Sequence, residues 1–253
     1  MCADPPTTQS FFEVSAGERT VPGVWHENYW LRRHEIVYAW VADLVDRLAA
    51  ELDRAPMVLD AGCGEGYGTA MLAERGGRTL ALDYDRWTVQ HLAARYPDLT
   101  ALRGNLVALP VRTASVDVLV SLQTVEHLWD QDRFASECAR VLRPDGLVVL
   151  STPNRRTFPP GNVFHHRELD ADELSTLLSA AFDGVTVSGV HHGAALRAWE
   201  AGHGSIVDAQ IAEPPEEWSA DLAAAVRGIG TDDFVLRPDT DDSRDLLAIG
   251  RAR

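Results

Sequence analysis

The stretch Val58-Leu59-Asp60-Ala61-Gly62-Cys63-Gly64-Glu65-Gly66-Tyr67-Gly68 limits the chain's fold more than any other. A short apolar run carries an acid near its end, turns through alternating glycines and enters a helical segment, Thr69 to Glu74. Glycine takes positive φ and has no Cβ, so the turn can be tight and a ligand can approach the backbone closely. Strand, glycine loop and helix in that order form the ligand edge of a doubly wound α/β sheet. Two common ligands fail the spacing. The third glycine of G-x-G-x-x-G falls on Tyr67 counted from Gly62, and on Thr69 counted from Gly64. No lysine follows the glycines, as a phosphate-binding P-loop requires.

The elements around this loop follow in order. From Tyr29 to Leu52 the apolar residues Ile36, Trp40, Val41, Leu44, Val45 and Leu48 recur at helical spacing, which predicts a helix before the first strand. Thr79 to Asp83 reads as the second strand. An acid at that tip, roughly 20 residues beyond the loop, is where ribose hydroxyls are held in nucleoside-binding α/β folds, so Asp83 is the candidate ligand. Asp85 suits the N-cap of the helix near Trp87. Leu102 to Leu106 ends strand three, and Val116 to Ser121 is strand four, apolar enough to be buried on both faces. Strand four runs into Gln123, Glu126 and His127. A helix from Gln131 to Leu142 follows, then Pro144-Asp145-Gly146, and strand five from Leu147 to Ser151. Beyond Pro159-Pro160-Gly161 come His165 and His166, a helix opened by Asp170 and Asp172, and strand six from Val185 to Val190. Asp233 to Arg237 and Leu246 to Gly250 are candidates for the last antiparallel strand.

At 253 residues the chain suits one large α/β domain with an insertion. Residues 1–16 read as disordered and 17–253 as a single domain, with 17–54 as a cap and 191–230 as an insertion that lines the acceptor pocket. The net charge of −15 disfavours a nucleic-acid backbone as partner, since such binding depends on basic side chains. Cys2, Cys63 and Cys138 match no metal-ligand pattern and read as reduced thiols. No apolar run is long enough for a membrane span and the N-terminus lacks a signal-peptide pattern, so a cytoplasmic location is expected.

The acid followed by G-x-G-x-G resembles the first motif of class I S-adenosylmethionine (SAM) methyltransferases. With strand four, Glu126-His127, a helix, Arg143-Pro144-Asp145-Gly146 and strand five, the resemblance covers about residues 55–155. It implies an α/β, doubly wound Rossmann-like sheet of order 3-2-1-4-5-7-6, with a cap helix in front and an insertion after strand six. It also implies that Asp60, Gly62, Gly64 and Gly66 wrap the methionine end of SAM, that Asp83 and Tyr84 meet the ribose region, and that Asn105 and Leu106 flank the adenine. Asn105 stands where Asp is commoner. Tyr29, Arg33 and Gln123 complete the expected cofactor set, Arg33 on the methionine carboxylate.

Glu126, His127 and His165, with Ser151-Thr152-Pro153-Asn154, resemble ubiquinone-pathway O-methyltransferases and plant small-RNA 2′-O-methyltransferases, in which acids and histidines at these points hold a divalent metal. Gln123 replaces a first Glu of those families, and a lost carboxylate weakens a site for a hard cation. Three readings stay open for the trio: ligands of Mg2+ or Mn2+, metal-free catalysis with His127 or His165 as base, or histidines that are hydrogen-bonded structurally. Longer matches, GERTVP, ENYWLRRH, EHLWDQ, FHHREL and GSIVDAQI, resemble actinobacterial methyltransferases of polymethylated polysaccharides, the 6-O-methylglucose lipopolysaccharide type. That implies a sugar or oligosaccharide hydroxyl as acceptor. A small-molecule or quinone-type O- or N-methyltransferase and a non-catalytic SAM-binding regulator remain alternatives. Nothing in the sequence assigns roles to His166, His191 or His192, or an oligomeric state.

Overall fold

Alternate residues of the central strands face two different layers, and helices cover both. The computed structural model describes residues 19–253, so the expected disorder at 1–16 lies outside the described residues. Its strands are β1 (Met57–Ala61), β2 (Arg78–Asp83), β3 (Thr100–Arg103), β4 (Val116–Leu122), β5 (Leu142–Pro153), β6 (Phe182–His192), β7 (Phe234–Arg237) and β8 (Asp245–Ala252). The helices are α1 (Asn28–Leu52), α2 (Tyr67–Glu74), α3 (Arg86–Arg95), α4 (Gln131–Val141), α5 (Ala171–Ser179), α6 (Ala194–His203), α7 (Ile206–Ala212) and α8 (Ala220–Gly228). Leu59, Leu119, Val148 and Leu150 pack with Phe134, Val141, Leu174 and Phe182 on one face. Val58, Val118, Val120 and Val149 pack with Tyr29, Val37, Val41, Val190 and Phe234 on the other. Every residue of β4 is buried, as expected for a central parallel strand.

The sheet runs β3-β2-β1-β4-β5-β8-β6-β7. The expected order holds as far as the sixth strand, and one strand is added. Phe234–Arg237 and Asp245–Ala252 are both strands: β8 lies antiparallel between β5 and β6, while β7 extends the edge beyond β6. β1 to β5 are parallel, so their C-terminal ends and following loops gather along one edge.

Residues 191–230 take a different place from the one expected. Leu196, Ile206, Val207, Leu222 and Val226 of this insertion are buried in the cluster that holds Tyr29, Val37 and Val41 of α1. Asn28 donates its side-chain amide to the carbonyls of Val226 and Ile229 at 2.8 and 2.9 Å, satisfying two acceptors near the end of α8. The insertion therefore supports the cap helix from behind. Among the described residues no helix is long and apolar enough to cross a membrane.

Packing of α1 on α2 depends on the absence of a side chain at Gly68, where an added Cβ would lie 2.0 Å from Tyr38 Cζ. Gly68→Ala should destabilise the fold by about 1–3 kcal/mol through overpacking. Urea titration should show a lower midpoint at an unchanged slope. An unchanged midpoint would mean that Tyr38 moves aside freely.

Candidate functional site

The glycine loop emerges from β1 over a buried acid. Asp60 is fully buried; Thr69 donates its hydroxyl to Oδ2 at 2.6 Å, and the Tyr38 hydroxyl lies 3.3 Å from both carboxylate oxygens. Asp60 thus lies beneath the loop and is not among the cavity-lining residues, because its oxygens are taken by α1 and α2. Gly62 has φ +86°, and a Cβ there would meet Thr124 Oγ1 at 2.4 Å. Gly64 has φ +51° with nothing within 4 Å of an added Cβ, so it opens directly onto the cavity. Gly66 stands behind it as the N-cap of α2, against Leu92, and does not line the cavity.

The cavity, of about 1350 Å³, runs along the C-terminal edge of the sheet. At one end the Asp83 carboxylate accepts from the Gly64 and Asp85 amides at 3.0 and 2.9 Å. Burial raises its pKa against these two hydrogen bonds. Tyr84 is exposed at the mouth, and Asn105, Leu106 and Val107 form the adjoining wall. Asp85 caps α3 by accepting from the Thr88 amide at 2.8 Å, as its position predicted.

A segment that sequence reasoning left within the cap, Arg19 to Val24, crosses the cavity. Arg19 ties it down, with Nη1 3.5 Å from Glu65 and 3.8 Å from Asp85. Glu65 also pairs with His91. No periodicity marks such a strap; only the acids that hold it are visible in the sequence.

The two expected cap residues part company. Arg33 is buried and lines the cavity, its guanidinium 4.7 Å from the Trp30 ring. Its Nε lies 3.1 Å from Asp245 Oδ2, close enough for an ion pair but off the hydrogen-bonding direction, and Nη1 has no hydrogen-bond partner among the described residues. Burial raises the Asp245 pKa to about 6 although Arg33 opposes it. Tyr29 does not reach the cavity. It is fully buried in the α1 interface, with its hydroxyl 2.7 Å from His192 Nε2, whose Nδ1 lies 2.8 Å from Glu200. Gln123, at φ +50°, lines the cavity; its amide oxygen accepts from Arg33 Nη2 at 3.4 Å and its nitrogen donates to Ser151 at 3.2 Å. That amide is therefore committed to Arg33 and Ser151 and not to the histidines.

At the tip of β4, a single 3-10 turn, Val125–His127, presents Glu126 and His127. The Glu126 backbone carbonyl accepts from the His166 amide at 2.7 Å, which brings the 158–166 loop alongside. Glu126, His127 and His165 converge, each offering one ligand atom within 4.8 Å of the others. Glu126 is buried, accepts from the Thr152 hydroxyl at 2.9 Å, and has its pKa raised by burial. His127 Nδ1 faces the Phe164 carbonyl at 2.9 Å, so that nitrogen carries the proton and neutral His127 keeps its lone pair on Nε2, which lies 3.9 Å from Glu126 Oε1. His165 Nδ1 is 2.7 Å from Glu168, and its Nε2 faces Asn162 Nδ2 at 3.2 Å. His127, oriented through its Nδ1 in this way, suits either a base or a metal ligand, while His165 would exchange its Asn162 contact for either role. His166 is exposed and outside the trio; His191 is buried at the β6–β7 edge beside Asp239. Trp30, Phe158 and Phe164 complete the walls at this end.

Asp60 makes the stability of this edge depend on pH. Burial raises its pKa to about 7, while the hydrogen bonds from Thr69 and Tyr38 oppose the shift and the Asp83 charge adds to it. The folded chain therefore holds a proton that the unfolded chain loses at about pH 4. This group's contribution is fully present below that pH, declines as pH rises towards 7, and is level above. Urea titrations between about pH 5 and about pH 8 should show a steeper loss of stability for the native chain than for Asp60→Asn. Equal slopes would place the proton elsewhere.

Comparison with known proteins agrees with this edge. Residues 59–150 match the family described as "Methyltransferase domain". A "Probable S-adenosylmethionine-dependent methyltransferase" of Mycolicibacterium smegmatis is 50% identical over 246 residues, covering 92% of this chain and 93% of that one. One of Mycobacterium tuberculosis with the same description is 49% identical over 247 residues, covering 92% and 87%. Among solved structures, a SAM-dependent methyltransferase of Thermotoga maritima superposes with a TM-score of 0.58 at 15% identity, covering 89% of this chain and 93% of that one, a likeness of fold. With a glycine loop that fits neither dinucleotide nor P-loop spacing, a parallel sheet opening on a large cavity, and full-length relatives of one kind, the chain belongs to the class I SAM-dependent methyltransferases.

Proposed function

We propose that this enzyme transfers the methyl group of SAM to a hydroxyl of a sugar or oligosaccharide, and that Glu126, His127 and His165 serve the acceptor. The observation that carries the proposal is the convergence of those three side chains at the tip of β4, in the same cavity as Asp83 and Gly64. SAM supplies an electrophilic methyl group on a sulfonium. Asp83 takes the ribose hydroxyls, which can both donate to an ionised carboxylate. Asn105 and Leu106 flank the adenine, Tyr84 lies at the open side, and the Gly62–Gly64 backbone receives the methionine end. Arg33, buried with no hydrogen-bond partner for Nη1 among the described residues, takes the methionine carboxylate through its forked donors. The sugar assignment rests on the likeness of sequence motifs that span most of the chain.

A sugar hydroxyl holds its proton tightly, so displacement in line with the carbon–sulfur bond needs that proton removed as the oxygen–carbon bond forms. His127 Nε2 is placed to accept it, and Glu126 stands close enough to stabilise the imidazolium. The same trio fits a divalent cation, which when bound would lower the hydroxyl pKa. Two imidazoles and one carboxylate suit Mn2+ better than Mg2+, and Gln123 adds no oxygen while Arg33 holds it. A second reading draws on Trp30, Phe158 and Phe164: aromatic walls also suit a flat phenol or quinol acceptor.

These roles are open to direct measurement. Asp83→Ala should weaken SAM binding by about 1.5–3 kcal/mol, the scale of charge-assisted hydrogen bonds. Unchanged affinity by calorimetry would remove Asp83 from the site. Isotopically labelled SAM, incubated with glucose and mannose oligosaccharides and with phenols, should label a sugar and not a phenol. His127→Ala should lower kcat by about 10²–10⁴-fold with SAM affinity intact. If the cation is used, EDTA abolishes turnover and Mn2+ or Mg2+ restores it. If His127 acts alone, chelation has no effect on turnover. Tight SAM binding with no acceptor labelled would favour a regulator.

A further inference from the structure

Trp129 lies two residues beyond His127, lines the mouth of the cavity and is 84% exposed. Its backbone is not loose. His127 donates its amide to the Thr124 carbonyl at 3.1 Å, and Asp130 caps α4 by accepting from the Arg133 amide at 2.9 Å. The indole stacks, tilted by 36°, on the His166 ring with centroids 3.6 Å apart. The His166 backbone amide donates to the Glu126 carbonyl, which seats this segment beside the turn that carries Glu126 and His127. A large aromatic held in water on a rigid mount leaves a substantial apolar area uncovered, and a ligand face laid on it gains the burial.

The surroundings narrow the occupant. Asp130 and His166 border the indole, and Asn162 and His165 border the exposed Val163 and Phe164 on the facing loop. Apolar and hydrogen-bonding side chains thus interleave around the indole. A pyranose presents one apolar C–H face and a rim of hydroxyls, which matches that alternation. Among the described residues, Arg19 and Arg33 are the arginines that line the cavity, and both face acids, which argues against an anionic group as the anchor.

We infer that Trp129, seated on His166, is the platform of an outer acceptor subsite: it stacks on the sugar residue next to the one being methylated, so the true acceptor is an oligosaccharide and not a single sugar. This rests on the sugar reading of the preceding subsection. Trp129 acts here as a specificity-determining residue and takes no part in proton or methyl transfer.

The test compares three acceptors with the full-length enzyme: a methyl glycoside, the matching tetrasaccharide and the octyl glycoside, for glucose and for mannose. The native enzyme should prefer the tetrasaccharide in kcat/KM. Trp129→Ala should reduce that preference by about tenfold, mainly through KM. Trp129→Tyr, which keeps a stacking face, should retain most of it, and the SAM dissociation constant reports that each variant is folded. If Trp129→Ala keeps the preference, the subsite is overturned while the sugar reading stands. If the octyl glycoside gains as much as the tetrasaccharide and loses it in Trp129→Ala, the platform grips an apolar tail and the inference fails. If the native enzyme labels none of the glycosides, the sugar reading and the subsite fall together.

Discussion

The carboxylate of Asp60 is the point on which this architecture turns. It lies at zero exposure near the end of β1, with Thr69 of α2 and Tyr38 of α1 as its partners. An acid in that position is unfavourable unless its oxygens are satisfied. Satisfying them brings together the strand before the glycine loop, the helix after it and the cap helix that closes the cavity. Gly68 then has to be glycine so that the Tyr38 ring can lie on α2, and Gly62 so that the loop can pass Thr124. The loop's shape follows from contacts below it, which leaves Gly64 open to the ligand above.

A second buried polar system holds the cap from the other side. Glu200 pairs with His192, His192 with Tyr29, and Arg244 with Glu200, while Arg33 lies beside Asp245 one turn along α1 from Tyr29. Removing one partner from such a set leaves a charge or polar group stranded, which costs more than the set's net contribution to stability. The insertion therefore acts on the site indirectly. It fixes the register of α1, and α1 delivers Arg33 to the cavity floor beside Gln123. The positive φ of Gln123 stores strain of the order of 1–3 kcal/mol at that point, a cost often met at ligand sites.

Much of this was legible before any coordinates. The glycine spacing excluded two ligand classes, short apolar runs marked the central strands and helical spacing marked the cap helix, and Glu126, His127 and His165 fell at loop positions that a parallel sheet gathers on one edge. The strand order was right through the sixth strand, but a four-residue edge strand such as Phe234–Arg237 carries too few alternations to be separated from a strand end. Tyr29 and Arg33 look equivalent in sequence, yet four residues on a helix return nearly to the same face, and which of them meets a cavity depends on what packs behind. The role of residues 191–230 was misread for a related reason: an amphipathic helix shows that it buries a face, not which surface it buries it against. The Arg19 strap joins residues across loops, and the Asn162–His165 and Glu168–His165 contacts close over three residues inside an irregular segment, where no periodicity reports them.

The central claim is that one cavity holds the cofactor with its methyl group directed at the Glu126–His127–His165 trio. A crystal structure of the enzyme with S-adenosylhomocysteine, grown in the presence of Mn2+ and measured at the manganese edge, tests it most directly. The account predicts the ribose on Asp83, the carboxylate on Arg33 and the sulfur facing the trio, with any anomalous peak between Glu126 and the two histidines. A cofactor whose sulfur faces away from the trio, or whose adenine occupies the space between Trp30 and Phe164, would contradict it.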